Sequence, residues 1–293
     1  MAPTTRARSS FPFRLPTVFA RGLALTVALA LATVPLPGAF ALASSCDEDT
    51  DRDTHFQFGG LWKGFTAREE VQRSVPAPEG VWAIHGGDNG SIELSGSVTS
   101  EVLVCATIYA WGVNERAARA LGRQVKVVAD ERGVRSKGPS QGKFTRWAVA
   151  YHILLPRDTD VEVRTVNGPI SVEGLRSRVD LETVNGPISV TKSGGDVRGR
   201  TTNGPLAVTL GGSRWSGRGL DLESMNGPIT VTVPANYSAE LEFGTTNGPM
   251  QFDFPITVQG RVSKTIKTTL GSGGPPIRVV TTNGPASMER GRR

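Results

Sequence analysis

The sequence predicts an all-β protein: a right-handed parallel β-solenoid, β-helix-like, with coils of about 18–23 residues and one short helix in its N-terminal part. Three observations lead there. The tripeptide Asn-Gly-Pro occurs six times, with its asparagines at 167, 185, 203, 226, 247 and 283. The steps between them are 18, 18, 23, 21 and 36 residues, and a fixed period near 20 marks stacked repeats, whose parallel crossovers are right-handed. Apolar residues also alternate with polar ones in constant phase to each corner.

The corners are Asn167-Gly168-Pro169, Asn185-Gly186-Pro187, Asn203-Gly204-Pro205, Asn226-Gly227-Pro228, Asn247-Gly248-Pro249 and Asn283-Gly284-Pro285. Asn-Gly between apolar runs normally signals a two-residue hairpin. In that turn the residue after Gly donates its N–H back across the turn, and here it is a proline with no N–H. The chain therefore bends without folding back on itself. Asn and Gly tolerate positive φ, so the corner is expected to use it. Thr183→Val, which keeps the shape and removes only a hydroxyl, is then expected to be nearly tolerated, and Asn185→Leu to cost more.

Around each corner the phase is constant. Two residues before the asparagines stand Thr165, Thr183, Thr201, Ser224, Thr245 and Thr281. Four before stand Val163, Leu181, Gly199, Leu222, Phe243 and Val279, and three after stand Ile170, Ile188, Leu206, Ile229, Met250 and Ala286. With period two, each set shares one face, and stacking turns each set into a column through the core. The residues five and three before the asparagine then point outward: Glu162 and Arg164, Asp180 and Glu182, Arg198 and Arg200, Asp221 and Glu223. In register they alternate in sign from coil to coil, which predicts ion ladders. The step of 36 reads as two steps of 18 with a degenerate coil near 265. "DNGSIEL" at 88–94 reads as an early coil without the proline.

The remaining elements follow in chain order. Residues 1–43 read as a signal peptide: Arg6, Arg8, Arg14 and Arg21, then the apolar "GLALTVALALATV", then "ALA" at 41–43. Removing them takes four bases and no acid, leaving 29 bases against 27 acids, a net charge of +2 instead of +6. The basic balance therefore gives no argument for nucleic-acid binding, which needs a clustered basic face. The two cysteines, Cys46 and Cys105, leave three alternatives open: a lipid attachment at Cys46, a disulfide, or free thiols. "LASSC" resembles a bacterial lipobox, with Ala43 where Leu is usual. Asp49, Asp51 and Asp53 have the spacing that opens a calcium loop, but Thr54 and Gly60 stand where Gly and Glu are required, so residues 44–75 read as a polar linker. Strand signals dominate from 81, interrupted by one helix, "NERAARALG" at 114–122, with Asn114 as cap and Gly122 near its end. Residues 289–293 read as a basic tail.

No cofactor or metal motif is present. His55, His85 and His152 are scattered, and no phosphate loop, nucleophile elbow or dinucleotide fingerprint occurs. Two functions are weighed. A non-enzymatic rod would bind an envelope glycan or protein on a flat face, with Arg214, Trp215 and Arg218 in the 23-residue step as candidate ligand contacts. Trp215 is read first as the cover of its own coil, and Tyr237 as packing. A polysaccharide lyase or hydrolase would need carboxylates converging in a groove, for which Asp180, Glu182, Asp221 and Glu223 are the candidates. A solvated charged face is the plainer reading of those acids.

The leader, "DNGSIEL", the strand "WAVAYHILLP" and the recurring T-x-N-G-P-[I/L]-x-V together resemble the bacterial putative-adhesin domain family over residues 80–288. The resemblance implies an exported or membrane-tethered β-solenoid, here a domain at 76–288, and brings no catalytic residues with it.

Overall fold

The computed structural model describes residues 65–142, 145–253 and 264–291, all within one compact unit, Asp49–Arg293. The N-terminal elements are β1 (Phe65–Pro76), β2 (Trp82–Gly87), β3 (Gly90–Ser97), β4 (Glu101–Gly112), α1 (Glu115–Gly122), β5 (Lys126–Asp130), β6 (Gly133–Lys137) and β7 (Arg146–Pro156). Then come strand pairs joined by Asn-Gly-Pro corners. These are β8 (Val161–Asn167) with β9 (Ile170–Glu173), β10 (Arg178–Asn185) with β11 (Ile188–Thr191), and β12 (Asp196–Asn203) with β13 (Leu206–Thr209). They continue as β14 (Gly219–Asn226) with β15 (Ile229–Val233), and β16 (Ala239–Asn247) with β17 (Met250–Phe252). The single strand β18 (Thr265–Leu270) precedes the last pair, β19 (Pro276–Asn283) with β20 (Ala286–Arg290).

Two ten-stranded sheets result. The first runs β18-β16-β19-β14-β12-β10-β8-β2-β6-β5, and the second β1-β4-β7-β3-β9-β11-β13-β15-β20-β17. Each coil gives one strand to each sheet, and the coil strands pair in parallel, the arrangement of a β-solenoid. Among the described residues, antiparallel strand pairs occur only toward the ends of the sheets: β1 with β4, β4 with β7, β5 with β6, and β16 with β18. The inward columns fill the space between the sheets. Val163, Ile170, Val172, Leu181, Ile188 and Leu222 are buried, each contributing about 1.5–3 kcal/mol of transfer free energy. Gly199 leaves a gap in its column that Leu222 of the next coil fills, since a Cβ there would meet the Leu222 side chain.

The corner works through stacking. In parallel pairing the carbonyl of Gly168 would accept from the N–H of residue 187, but Pro187 has none. The hydroxyl of Thr183, two residues before the next asparagine, donates to that carbonyl instead, at 3.3 Å. Thr165, Thr201, Ser224 and Thr281 do the same for Gly90, Gly186, Gly204 and Gly227, at 2.9–3.0 Å. The threonine and the proline of T-x-N-G-P are thus halves of one device. Asparagine supplies the second: Asn185 donates to Asn167, Asn203 to Asn185, Asn226 to Asn203, Asn283 to Asn226 and Asn247 to Asn283, all at 2.8–2.9 Å. Positive φ is not the reason for Asn-Gly. Of the corner residues only Gly284 has it, at 146°. Glycine is needed because the coils approach too closely for a side chain: a Cβ on Gly186 would collide with the carbonyl of Gly168, and one on Gly204 with that of Gly186.

The early coil at 88–94 is present. Asn89 lies within 3.3 Å of the Asn167 amide, and β3 pairs in parallel with β9. The 36-residue step, however, shows no degenerate coil among the described residues. Residues 265–270 form β18, antiparallel to β16, and the last coil in sequence, β19 with β20, is inserted between β14/β15 and β16/β17. Stack order equals chain order only when every connection climbs one layer, and here the chain climbs two and returns.

Residues 65–75, expected as polar linker, form most of β1, which pairs with β4 from Phe65↔Gly112 to Pro76↔Glu101. Only Ala67 and Val75 of β1 are buried, so backbone pairing rather than an apolar pattern holds this strand, and periodicity gave no sign of it. The expected basic tail is partly strand as well, since β20 reaches Arg290. The helix is as expected: the Asn114 side chain accepts from the Ala117 N–H at 2.8 Å, and Ala118 and Leu121 are buried. The expected signal peptide, 1–43, lies outside the described residues.

Candidate functional site

On a strand that buries every second side chain, the others must face solvent. On the first sheet two columns of those others are charged, next to the exposed Val166, Val184 and Met225, and they border an open groove of about 560 Å³ crossing β8, β10, β12 and β14. One wall is the column Glu162, Asp180, Arg198, Asp221, and the other is Arg164, Glu182, Arg200, Glu223. Between the walls the floor is the backbone of Val163, Leu181 and Gly199, whose positions face the core. Arg178 stands at one edge.

The registers are those the sequence implied: Asp180 beside Arg198 beside Asp221, and Glu182 beside Arg200 beside Glu223. The ion pairs are distributed differently. Arg164 joins Glu162 at 2.6 Å on its own strand and Glu182 at 3.4 Å across the stack. Arg178 holds Asp180 at 2.8 Å, and that hydrogen bond and charge raise the pKa of the arginine. Arg198 turns to Asp196, 3.6 Å away on the same strand, and Arg200 makes no ion pair among the described residues. A guanidinium on a long stem reaches along its own strand as readily as across to the next, so register alone does not fix the partner.

Where the last coil is inserted, Arg278 gathers three acids: Asp221 at 2.8 Å, and Glu223 and Glu242 at 3.7 Å each. Burial works against its charge, but the carboxylates outweigh it, and the pKa lies above the ordinary arginine value. This cluster joins β14, β19 and β16 in the order observed.

Arg214, Trp215 and Arg218 do not form a ligand-facing cluster. Trp215 is 2% exposed, and its indole N–H donates to the Gly195 carbonyl at 3.0 Å, so it covers its own coil and cannot stack on a ligand. Arg214 and Arg218 are exposed, with Arg218 3.9 Å from Asp196. Tyr237 is buried. Cys105 is disulfide-bonded, which removes the free-thiol alternative for it, and Cys46 lies outside the described residues. No group of three or more His, Cys, Asp or Glu side chains with metal-binding geometry occurs among the described residues. Every wall residue of the groove is legible in the sequence, where the face reads as a solvated charged surface. What sequence reasoning missed is the trough between the columns. The one available signal was Gly199, which separates the two arginines.

Residues 157–288 match the family model described as Toastrack DUF4097. No curated protein matches the chain. Among solved structures, a putative cell adhesion protein from Clostridium sporogenes is similar at 11% identity and a TM-score of 0.42, with 77% of this chain and all of that one covered. A putative adhesin from Bacteroides fragilis is similar at 13% identity and a TM-score of 0.29, with 76% of this chain and 97% of that one covered. A putative lipid binding protein from Parabacteroides distasonis is similar at 12% identity and a TM-score of 0.28, over the same shares of the two chains. The matched residues, 157–288, hold the coil stack from β8 to β20, so the similarity to the Toastrack DUF4097 model lies in that stack.

Proposed function

We propose that the protein is an exported, non-enzymatic β-solenoid module whose charged groove on the first sheet binds a component of the cell envelope or the extracellular space. The observation that supports this reading is the groove itself: an open trough on a rigid parallel stack, lined by five carboxylates and four guanidinium groups. Stacked coils hold such groups at fixed spacing without reorganisation, which suits recognition of an extended ligand. The test is binding of the mature protein to envelope fractions and to a glycan array, beside an Arg198→Glu/Arg200→Glu variant shown by circular dichroism to fold. Binding that depends on those arginines supports the proposal, and binding indifferent to them removes the groove from it. Intact-mass analysis of the native protein tests export. A chain starting at Ser44 with both cysteines oxidised is secreted and disulfide-linked. One starting at Cys46 and heavier by a diacylglyceryl group is tethered to the membrane and lacks a disulfide within the chain, since its thiol is consumed and Cys105 is the only other cysteine. A chain that retains residues 1–43 refutes export.

A further inference from the structure

We infer that Arg198 and Arg200 hold the carboxylate of an acidic sugar, so that the groove takes a uronate-bearing oligosaccharide. This rests on the proposed binding role of the groove and names its ligand class. The two arginines lie two residues apart on β12, on one face of the strand, roughly 7 Å from each other along it. Gly199 between them faces inward, so backbone alone floors the space they flank. They are also the least engaged arginines of the groove. Arg164 has two carboxylate partners and Arg178 a close one at 2.8 Å, whereas Arg198 has only Asp196 at 3.6 Å and Arg200 has none among the described residues. Each guanidinium offers five N–H donors in a fixed plane, the complement of a carboxylate.

The acids decide what else the ligand must carry. Asp180 and Asp221 flank Arg198, and Glu182 and Glu223 flank Arg200. Carboxylates only accept hydrogen bonds, so a ligand bearing hydroxyl donors beside its negative group satisfies both sets. Five acids against four arginines give the lining a net charge of −1. A densely sulfated or phosphorylated polymer gains nothing from that field, and a polycation meets the arginine pair at the centre. An acidic peptide is disfavoured because the floor offers no apolar pocket for side chains, and these central strands have no open edge to extend. The trough crosses four strands, about 14 Å at the usual strand spacing, which suits a short oligosaccharide rather than a single sugar.

The test is calorimetric titration of the full mature chain with trigalacturonate, its methyl ester and a hexaglutamate peptide. Trigalacturonate should bind saturably. The methyl ester, which keeps the hydroxyls and loses the charges, should bind at least tenfold more weakly. Arg198→Gln/Arg200→Gln should lose at least tenfold toward trigalacturonate while remaining fully folded at the titration temperature, and Arg198→Lys/Arg200→Lys, which keeps charge but not the planar fork, should fall between. Equal affinity for acid and ester, undiminished binding by the glutamine variant, or preference for hexaglutamate overturns the inference. If trigalacturonate fails while envelope binding still depends on Arg198 and Arg200, the sugar class is wrong and the binding role stands. If both fail, the binding role falls too.

Discussion

The two outer faces of the stack are built from the same coils, yet they differ in chemistry. Across the first sheet the outward column reads Glu162, Asp180, Arg198, Asp221, Arg278. Across the second it reads Ser171, Ser189, Ala207, Thr230, Ser287, with a Thr230–Ser287 hydroxyl contact of 3.1 Å. The solenoid needs neither set. Its requirements are met by the inward columns and by the corners, which both sheets share. What the charged face adds is discrimination. Neutral hydroxyls accept any neighbour, whereas a column of alternating sign penalises a coil placed in the wrong layer, and it walls the polar trough of the first sheet.

The largest effect should come from breaking the frame beneath both faces. Gly186→Ala places a methyl group against the Gly168 carbonyl, backbone against backbone, in a column where every layer is equally close. We expect a loss of more than about 3 kcal/mol, measured by urea unfolding, with strain as the mechanism. A midpoint like that of the wild type would mean that the corner can widen, and that close approach is not why glycine stands there.

Next comes the contrast within the inserted coil. Arg278→Glu would place a fourth acid among Asp221, Glu223 and Glu242, in a site where the arginine side chain is 36% exposed. A loss of about 2 kcal/mol is expected after allowing for solvent screening. Ser287→Glu in the same coil, on the other face, should change stability by less than about 0.5 kcal/mol. Equal effects would remove the argument that the charged face sets coil order. A smaller loss, about 1–2 kcal/mol, is expected for Thr183→Val, because the valine leaves the Gly168 carbonyl without the donor that Pro187 cannot provide. The sequence taken alone gave the opposite expectation for this change.

That reversal shows what one chain reveals of itself. Period-two alternation is a property of each strand, so the inward columns, the strand boundaries near the corners and the register between Val161 and Asn226 were legible. The proline veto was legible too, because it concerns a missing atom. Partnership between layers was not. Thr183 could be seen as buried, but not as the substitute for a donor lost at Pro187, four residues ahead of it. The insertion of β19 was hidden because its corner carries the same motif as the others, and only Arg278 facing acids on both neighbouring strands marks its place. Asn185 was credited with a backbone role, whereas its work is done by the side chain. The groove was half legible. Its residues were legible, but a trough is a property of neighbouring coils; Trp215, read first as the cover of its own coil, is that cover.

The smallest expected effect is the one that isolates charge from everything else. Arg198→Glu/Arg200→Glu would give acid columns through Asp180, residue 198 and Asp221, and through Glu182, residue 200 and Glu223. Ser189→Glu/Thr209→Glu puts two acids on the second face, where the lateral neighbours Ser171, Ala207, Thr191 and Thr232 are all neutral. Both pairs lie on central strands, so the cost of putting glutamate into a strand is similar and the like-charge neighbours are the difference. Each exposed interaction is worth about 0–1 kcal/mol, so the first variant should be less stable than the second by about 1–2 kcal/mol in dilute buffer. At 1 M salt, where the screening length falls to about 3 Å, the gap should close to within error. A gap that salt leaves untouched would mean that packing of the arginine stems, not their charge, distinguishes the two faces. No gap at low salt would mean that the alternating signs play no part in ordering the stack.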